Sequence, residues 1–226
     1  IVGQVTVAIE NARLFEQTQT ALAEREQTQE ILAQRERYLA AQLDVQNRLL
    51  ATKGHDAPYD TILQILGEVS GANRVYVFEN HQDSSNQLLS SQRAEWSADG
   101  MDPEIDNPNL QNIHLKEDLP KWKKTLHSGK ALAGKFSNFP EKEKAFLEAR
   151  NVKAILVLPL MVSDEFFGFI GFDNCIEERP WDASEEGLLS AAAAAISLWH
   201  ERRRAEEGLL LALQRTESLY RIGDAM

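Results

Sequence analysis

Leu22, Leu32, Leu39, Leu43 and Leu50 fall on the a and d positions of one heptad frame, in a stretch with no proline before Pro58. A second frame, carried by Leu189, Ala192, Ile196, Trp199, Leu210, Leu213 and Tyr220, runs through the end of the chain, which has no proline after Pro180. Proline removes a helical hydrogen bond and clashes with the preceding turn, so both ends are open to long uninterrupted helices. A 3.5-residue period kept over several heptads predicts left-handed pairing with another helix. Arg25, Gln29, Glu36 and Gln46 interrupt the first seam; Arg203, Glu206 and Glu217 interrupt the second. Such residues weaken a helix pair while fixing its register. The bland alternative is a lone amphipathic helix lying on its own domain. Both helices run past what a small core covers, which favours a parallel homodimer through the two arms. Asp182 and Glu185 are spaced as a capping box for the second helix, with Ser184 as a rival cap, and the alanine run 191–195 supports it.

Between the arms the pattern shortens. Tyr59 to Ser70 puts Ile62, Leu63, Ile65, Leu66 and Val69 on one helical face, closed by Gly71 and Asn73. RVYVFEN and QLLSSQRAEWS read as two strands joined by the polar loop HQDSSN. A long irregular stretch follows, then two short helices opened by Pro120 and Pro140. AILVLPLMV, SDE and FFGFIGFD form a hairpin with apolar residues on both faces, so both faces should be covered or line a cavity. Pro159 implies an edge or a bulge in the first of these strands, and Gly168 and Gly171 leave room for a close neighbour in the second. The order predicts an α+β fold, an antiparallel sheet with helices against one face.

Composition narrows the function classes. The arms leave about 125 of the residues for the globular part, the size of one domain. Lys and Arg number 24 against 35 Asp and Glu, a net charge of −11. That balance argues against nucleic acid and against direct contact with an anionic membrane. The single cysteine, Cys175, excludes an internal disulfide framework and a cysteine-rich zinc site. The apolar run Ala154–Val162 is too short to span a bilayer and no signal peptide is visible, which predicts a cytoplasmic setting. Most acidic residues read as solvated faces. Cys175 reads as a small buried hydrophobe, with a redox sensor as the minority reading.

The segment NVKAILVLPLMVSDEFFGFIGFDNCIEERPWDASEEGLL resembles the central hairpin and final helix of a GAF domain, and residues about 40–200 resemble that family as an ordered set. The resemblance implies five or six antiparallel strands, helices on one face, a pocket on the other, and membership of a multidomain bacterial signalling protein such as a phytochrome-like sensor histidine kinase. It divides the chain into an incoming helix at 1–53, the domain at 54–200 and an outgoing linker helix at 201–226. QVTVAIENARLFEQ also resembles the last helix of a GAF domain, and residues 7–22 align loosely with 194–209. The expectation is a chain that starts inside one such helix and stops ahead of another domain.

Phytochrome-like members attach a tetrapyrrole to a cysteine followed by histidine. Lys142 and Glu143 stand at those positions, and neither supplies a soft sulfur nucleophile, so no covalent bilin or other cofactor is expected. His200–Glu201 lacks the continuation of a phosphoaccepting histidine and reads as solvated helix surface, while His55, His81, His114 and His127 have no metal-ligand spacing. No nucleophile elbow, P-loop or HExxH arrangement occurs, so no catalytic residue is expected. The candidate pocket wall is aromatic: Trp96, Trp122, Phe136, Phe139 and Phe146, weighed against plain core packing. The expectation is a non-catalytic sensory and relay module that dimerises through its helices and contacts neighbouring signalling domains, with an unidentified small-molecule ligand as the minority reading of its pocket. The alternatives are a tetrapyrrole- or other cofactor-binding photoreceptor module and a purely structural spacer.

Overall fold

The computed structural model describes the backbone of residues 2–52 and 57–223, and side chains over 10–11, 13–52 and 57–216. His55, and the side chains of Glu217 and Tyr220 invoked above, lie outside the described residues. Contacts divide the chain into two units, Ile1–Ala40 and Ala41–Met226. The first is part of one unbroken helix, α1 (Val2–Ala51), along which Leu22, Leu32 and Leu39 are exposed.

The second unit contains the end of α1, then α2 (Tyr59–Ser70), β1 (Arg74–Gln82), β2 (Leu88–Ser97), α3 (Leu115–Asp118), α4 (Pro120–His127), β3 (Leu132–Lys135), α5 (Glu141–Glu148), β4 (Ala154–Val162), β5 (Glu165–Asn174) and α6 (Ala183–Gly223). Its five strands pair antiparallel in the order β2-β1-β5-β4-β3. Strand β3 is only four residues long and covers β4 as far as Val157, so Pro159 sits where β4 has become the edge, one residue before a bulge at Leu160/Met161. There its missing N–H costs no ladder bond. The next edge amide, Met161 N, donates to Ser197 Oγ of α6.

Side chains alternate across the strands, and that alternation sets two different covers. Val75 and Val77 of β1, with Leu156, Leu158 and Leu160 of β4, lie on the side of the long helices and are buried. Leu189, Ala192, Ala193 and Ile196 of α6 and Ile62, Leu63 and Leu66 of α2 are buried as well. Tyr76, Phe78, Ile155, Val157 and Phe169 point the other way, into a cluster with Trp122, Leu126 and Leu147 from the short helices.

The seam expected on α6 is corrected here. Leu189, Ile196 and Trp199 are buried within the chain's own domain, Trp199 beside Leu49 and Leu50 of α1, and so are not free to meet a partner helix. Leu210 and Leu213, past the end of the sheet, are exposed, as are Leu43 and Leu50 of α1. A helical stripe that packs on a sheet and one that packs on a helix share the same spacing over three turns, which is why one frame runs through both.

The helix start does form a capping box. Asp182 Oδ1 accepts from the amides of Ser184 (2.7 Å) and Glu185 (2.8 Å), and Glu185 Oε2 accepts from Asp182 N at 3.2 Å. The same Glu185 takes a two-pronged hydrogen bond from Arg179, whose other nitrogen donates to Ser70 O at 3.0 Å. The start of α6 is thereby fastened to the end of α2.

Candidate functional site

The face away from α6 was expected to hold the pocket, and side chains fill it. Phe169 of β5 stacks on Phe78 at 4.8 Å between centroids, Trp122 of α4 meets Phe169 edge-on at 6.0 Å, and Phe146 of α5 meets Trp122 at 5.8 Å. Gly171 makes this packing possible: a Cβ there would lie 2.3 Å from the Tyr76 ring. Of the five aromatic candidates, Trp122 and Phe139 are buried in the cluster, and Phe136 and Phe146 are partly buried against it. Trp96 is not among them. It pairs with Val75 on the opposite face, and its ring lies against Gly67 of α2, where a Cβ would come within 2.1 Å.

Lys142 and Glu143 tie the short helices together. Lys142 is exposed and its Nζ donates to the Glu117 carbonyl; Glu143 is fully buried and its Oε1 accepts from Lys121 N at 2.7 Å, in the first turn of α4. A carboxylate there meets amides that have no intrahelical partner.

Charged residues enter the same face. Asp173 of β5 is fully buried, with its Oδ2 3.2 Å from Arg150 Nη2 and 3.9 Å from Arg74 Nε. Tyr76 Oη donates to Asp173 Oδ1 at 3.0 Å, and Arg74 Nη2 donates to Arg150 O at 2.8 Å. Glu104, from the irregular stretch after β2, adds a second carboxylate 3.0 Å from Arg74 Nη1. Arg150 is held between the rings of Tyr76 (4.6 Å) and Phe146 (5.3 Å). Burial pushes the Asp173 carboxyl up from its ordinary value, against the pull of Arg150 and Arg74, and pushes the Tyr76 hydroxyl up as well. Two guanidiniums and two carboxylates balance in charge, which keeps so many ions tolerable away from water. Asp173 and Glu143 are exceptions to the solvated acidic majority, and Cys175, although buried, is more than a small hydrophobe: Arg74 Nη2 lies 3.4 Å from its Sγ. Burial raises its thiol pKa, the opposite of an activated thiolate.

A second polar cluster sits on the α6 side, and His200 belongs to it. The Tyr59 hydroxyl donates to Glu79 Oε1 at 2.9 Å and lies 2.6 Å from His200 Nε2. A tyrosine has one proton; with it committed to Glu79, the imidazole Nε2–H donates to Tyr59 Oη. Phe167 packs on the imidazole at 4.4 Å and Trp199 at 4.9 Å. His200 is thus enclosed rather than solvated. Burial and the nearby Arg204 lower its pKa to about 4, so it is neutral at pH 7. Among the described residues no group of His, Cys, Asp and Glu is placed to hold a metal ion, and no helix is long and apolar enough to cross a membrane.

The comparisons with known proteins agree on one family. A family model described as the GAF domain matches residues 55–198. The chain is 35% identical over 189 residues to the methanogenesis regulatory histidine kinase FilI of Methanothrix harundinacea (strain 6Ac), covering 84% of this chain and 21% of that protein. Among solved structures, the blue-light absorbing form of the PixJ GAF domain of Thermosynechococcus elongatus superposes with a TM-score of 0.58 at 22% identity, over 78% of this chain and 96% of that one. The phycoerythrobilin-bound GAF domain of a cyanobacterial phytochrome gives 0.62 at 14% identity, over 75% and 97%. At these identities the likeness is one of fold.

Proposed function

Since the chain belongs to the GAF domain family, we propose that it is a non-catalytic sensory and relay module that also dimerises a multidomain signalling protein. The single observation that carries this reading is the continuity of α6. The helix whose Leu189 and Ile196 seal the sheet runs unbroken for 41 residues, and its later leucines, 210 and 213, are exposed. A change in the packing of the sheet moves a rigid element that extends beyond the domain, and a bistable pairing of that element would be the output. The relative from Methanothrix harundinacea is named a histidine kinase, which supports a kinase as the parent; this chain spans about a fifth of it.

The dimer would form on Leu22, Leu32, Leu39, Leu43 and Leu50 of α1 and on Leu198, Leu210 and Leu213 of α6, all exposed. Light scattering at micromolar concentration should give a dimer, and Leu43→Glu with Leu50→Glu should give a folded monomer. A monomeric unmodified chain refutes the dimer. For the relay, one residue inserted after Glu207 in the full-length parent turns everything downstream by about 100° and should change its output, whereas a seven-residue insertion should preserve it. An output indifferent to both refutes the relay.

The second reading, a tetrapyrrole-binding module, is favoured by the phycoerythrobilin bound in one solved neighbour. The side chains of Trp122, Phe78 and Phe169 in the inner face speak against it, as does Glu143 capping α4. A visible absorption band after incubation with a bilin would reverse that preference.

A further inference from the structure

The cleft beside His200 takes no part in packing the inner face. It encloses about 550 Å³, and Pro58, Tyr59, Glu79, Arg93, Phe167 and His200 are among its walls. This is the volume of a small-molecule site, with a few polar groups set in an apolar surround. Glu79 and Arg93 reach it from neighbouring strands and form a loose ion pair: Arg93 Nε is 3.7 Å from Glu79 Oε2, longer than a hydrogen bond. Tyr59 engages the other carboxylate oxygen, and among the described residues no hydrogen bond reaches Oε2 or the Arg93 guanidinium. Both side chains are part-exposed. The wall therefore presents an acceptor and a donor of opposite charge, side by side, each with bonding capacity to spare, and a further carboxylate, Asp60, at its α2 side.

A simple anion would satisfy Arg93 and be repelled by Glu79; a simple cation would do the reverse. A ligand that carries both charges on groups attached to one carbon satisfies both at once. We propose that this cleft binds an α-amino acid with an apolar side chain, its carboxylate on Arg93, its ammonium on Glu79 and its side chain against Phe167 and Pro58. Neutral His200 then serves as a wall that adds no charge of its own. Because His200 is part of α6, the ligand would bridge β1, β2 and the outgoing helix. The site stands whether or not the relay reading does.

Thermal unfolding and isothermal titration of the whole chain with L-leucine and L-phenylalanine test it, beside 3-phenylpropionate and phenethylamine, which each keep one of the two charges. Expected are saturable binding and a raised Tm with at least one amino acid, with both one-charge analogues weaker by about tenfold or more. Arg93→Gln, at a part-exposed position where folding is not at stake, should weaken amino-acid binding by a similar factor, and Glu79→Gln should do the same. No binding of either amino acid, equal binding of the analogues, or unchanged affinity in Arg93→Gln would each overturn the assignment.

Discussion

On the α6 side the sheet is covered by Leu189, Ala192, Ala193 and Ile196, small and branched apolar residues on a regular helix, with a few polar contacts: the cluster around His200, Ser197 on Met161, and the Arg179–Glu185 clamp. On the other side the cover is irregular: three short helices, a long loop, stacked aromatics, and a quartet of buried Arg74, Arg150 and Asp173 with half-buried Glu104. Helix-on-sheet packing needs only the right period and volume, so it tolerates hydrophobic exchange. A loop has no periodic face to bury and must be held by particular bonds. Glu104 does this, tied to Arg74, and its own amide donates to Glu95 Oε1 at 2.9 Å. One face is thus held by area and the other by charge.

The sharpest way to break this contrast is to remove one charge from the quartet. Asp173→Ala leaves Arg74 and Arg150 buried without their shared carboxylate, and should cost about 3–5 kcal/mol in urea unfolding. A loss of under about 1 kcal/mol would mean that the charges merely coexist there. Replacing an apolar residue of the α6 face by a similar one, Ile196→Val, should cost roughly 0.5–1.5 kcal/mol.

Acidification probes the polar cluster on the α6 side. His200 titrates near 4 in the folded chain and near 6.5 in the unfolded one, so between these values the unfolded chain binds more protons. Stability from this group is therefore full above pH 6.5 and declines as pH falls towards 4, by up to about 3 kcal/mol. His200→Gln, followed by denaturant unfolding at several pH values, should flatten that decline. An unchanged slope would show that His200 titrates normally despite its aromatic enclosure.

The same contrast explains what could be read from the sequence. Elements with a local signature were legible: the capping box at Asp182, the Pro120 and Pro140 helix starts, the hairpin around residues 163–165, and the edge position of Pro159. The family resemblance carried the five-stranded sheet. The short strand β3 was missed, because LAGK has neither length nor alternation. Trp96 was placed on the wrong face because alternation along a strand says which residues share a side, not which side it is. The polar clusters were invisible for another reason. Tyr59 and His200 stand 141 residues apart, and Tyr76 and Asp173 stand 97 apart, so no spacing rule links them. The one available signal was Asp173 itself, an ionisable residue ending the apolar run FFGFIGF, and a charge in such a run asks for a partner. On α6 one heptad frame runs over both buried and exposed residues, and only burial separates Ile196 from Leu210.

The smallest effect expected is at the point where the α6 face begins. Asp182→Ala removes the acceptor for the Ser184 and Glu185 amides, and a lost N-cap costs about 1 kcal/mol. Here Glu185 would keep its bonds to Arg179, which still tie α6 to Ser70 of α2, so the helix start should loosen without detaching. Hydrogen exchange should quicken at the amides of Ser184 and Glu185 and stay unchanged at Ile196, deep in the sheet contact. Arg179→Gln should do the opposite, leaving the first-turn amides capped while freeing the start of α6 from α2. Equal effects from the two substitutions on the same amides would mean that cap and clamp act as one unit.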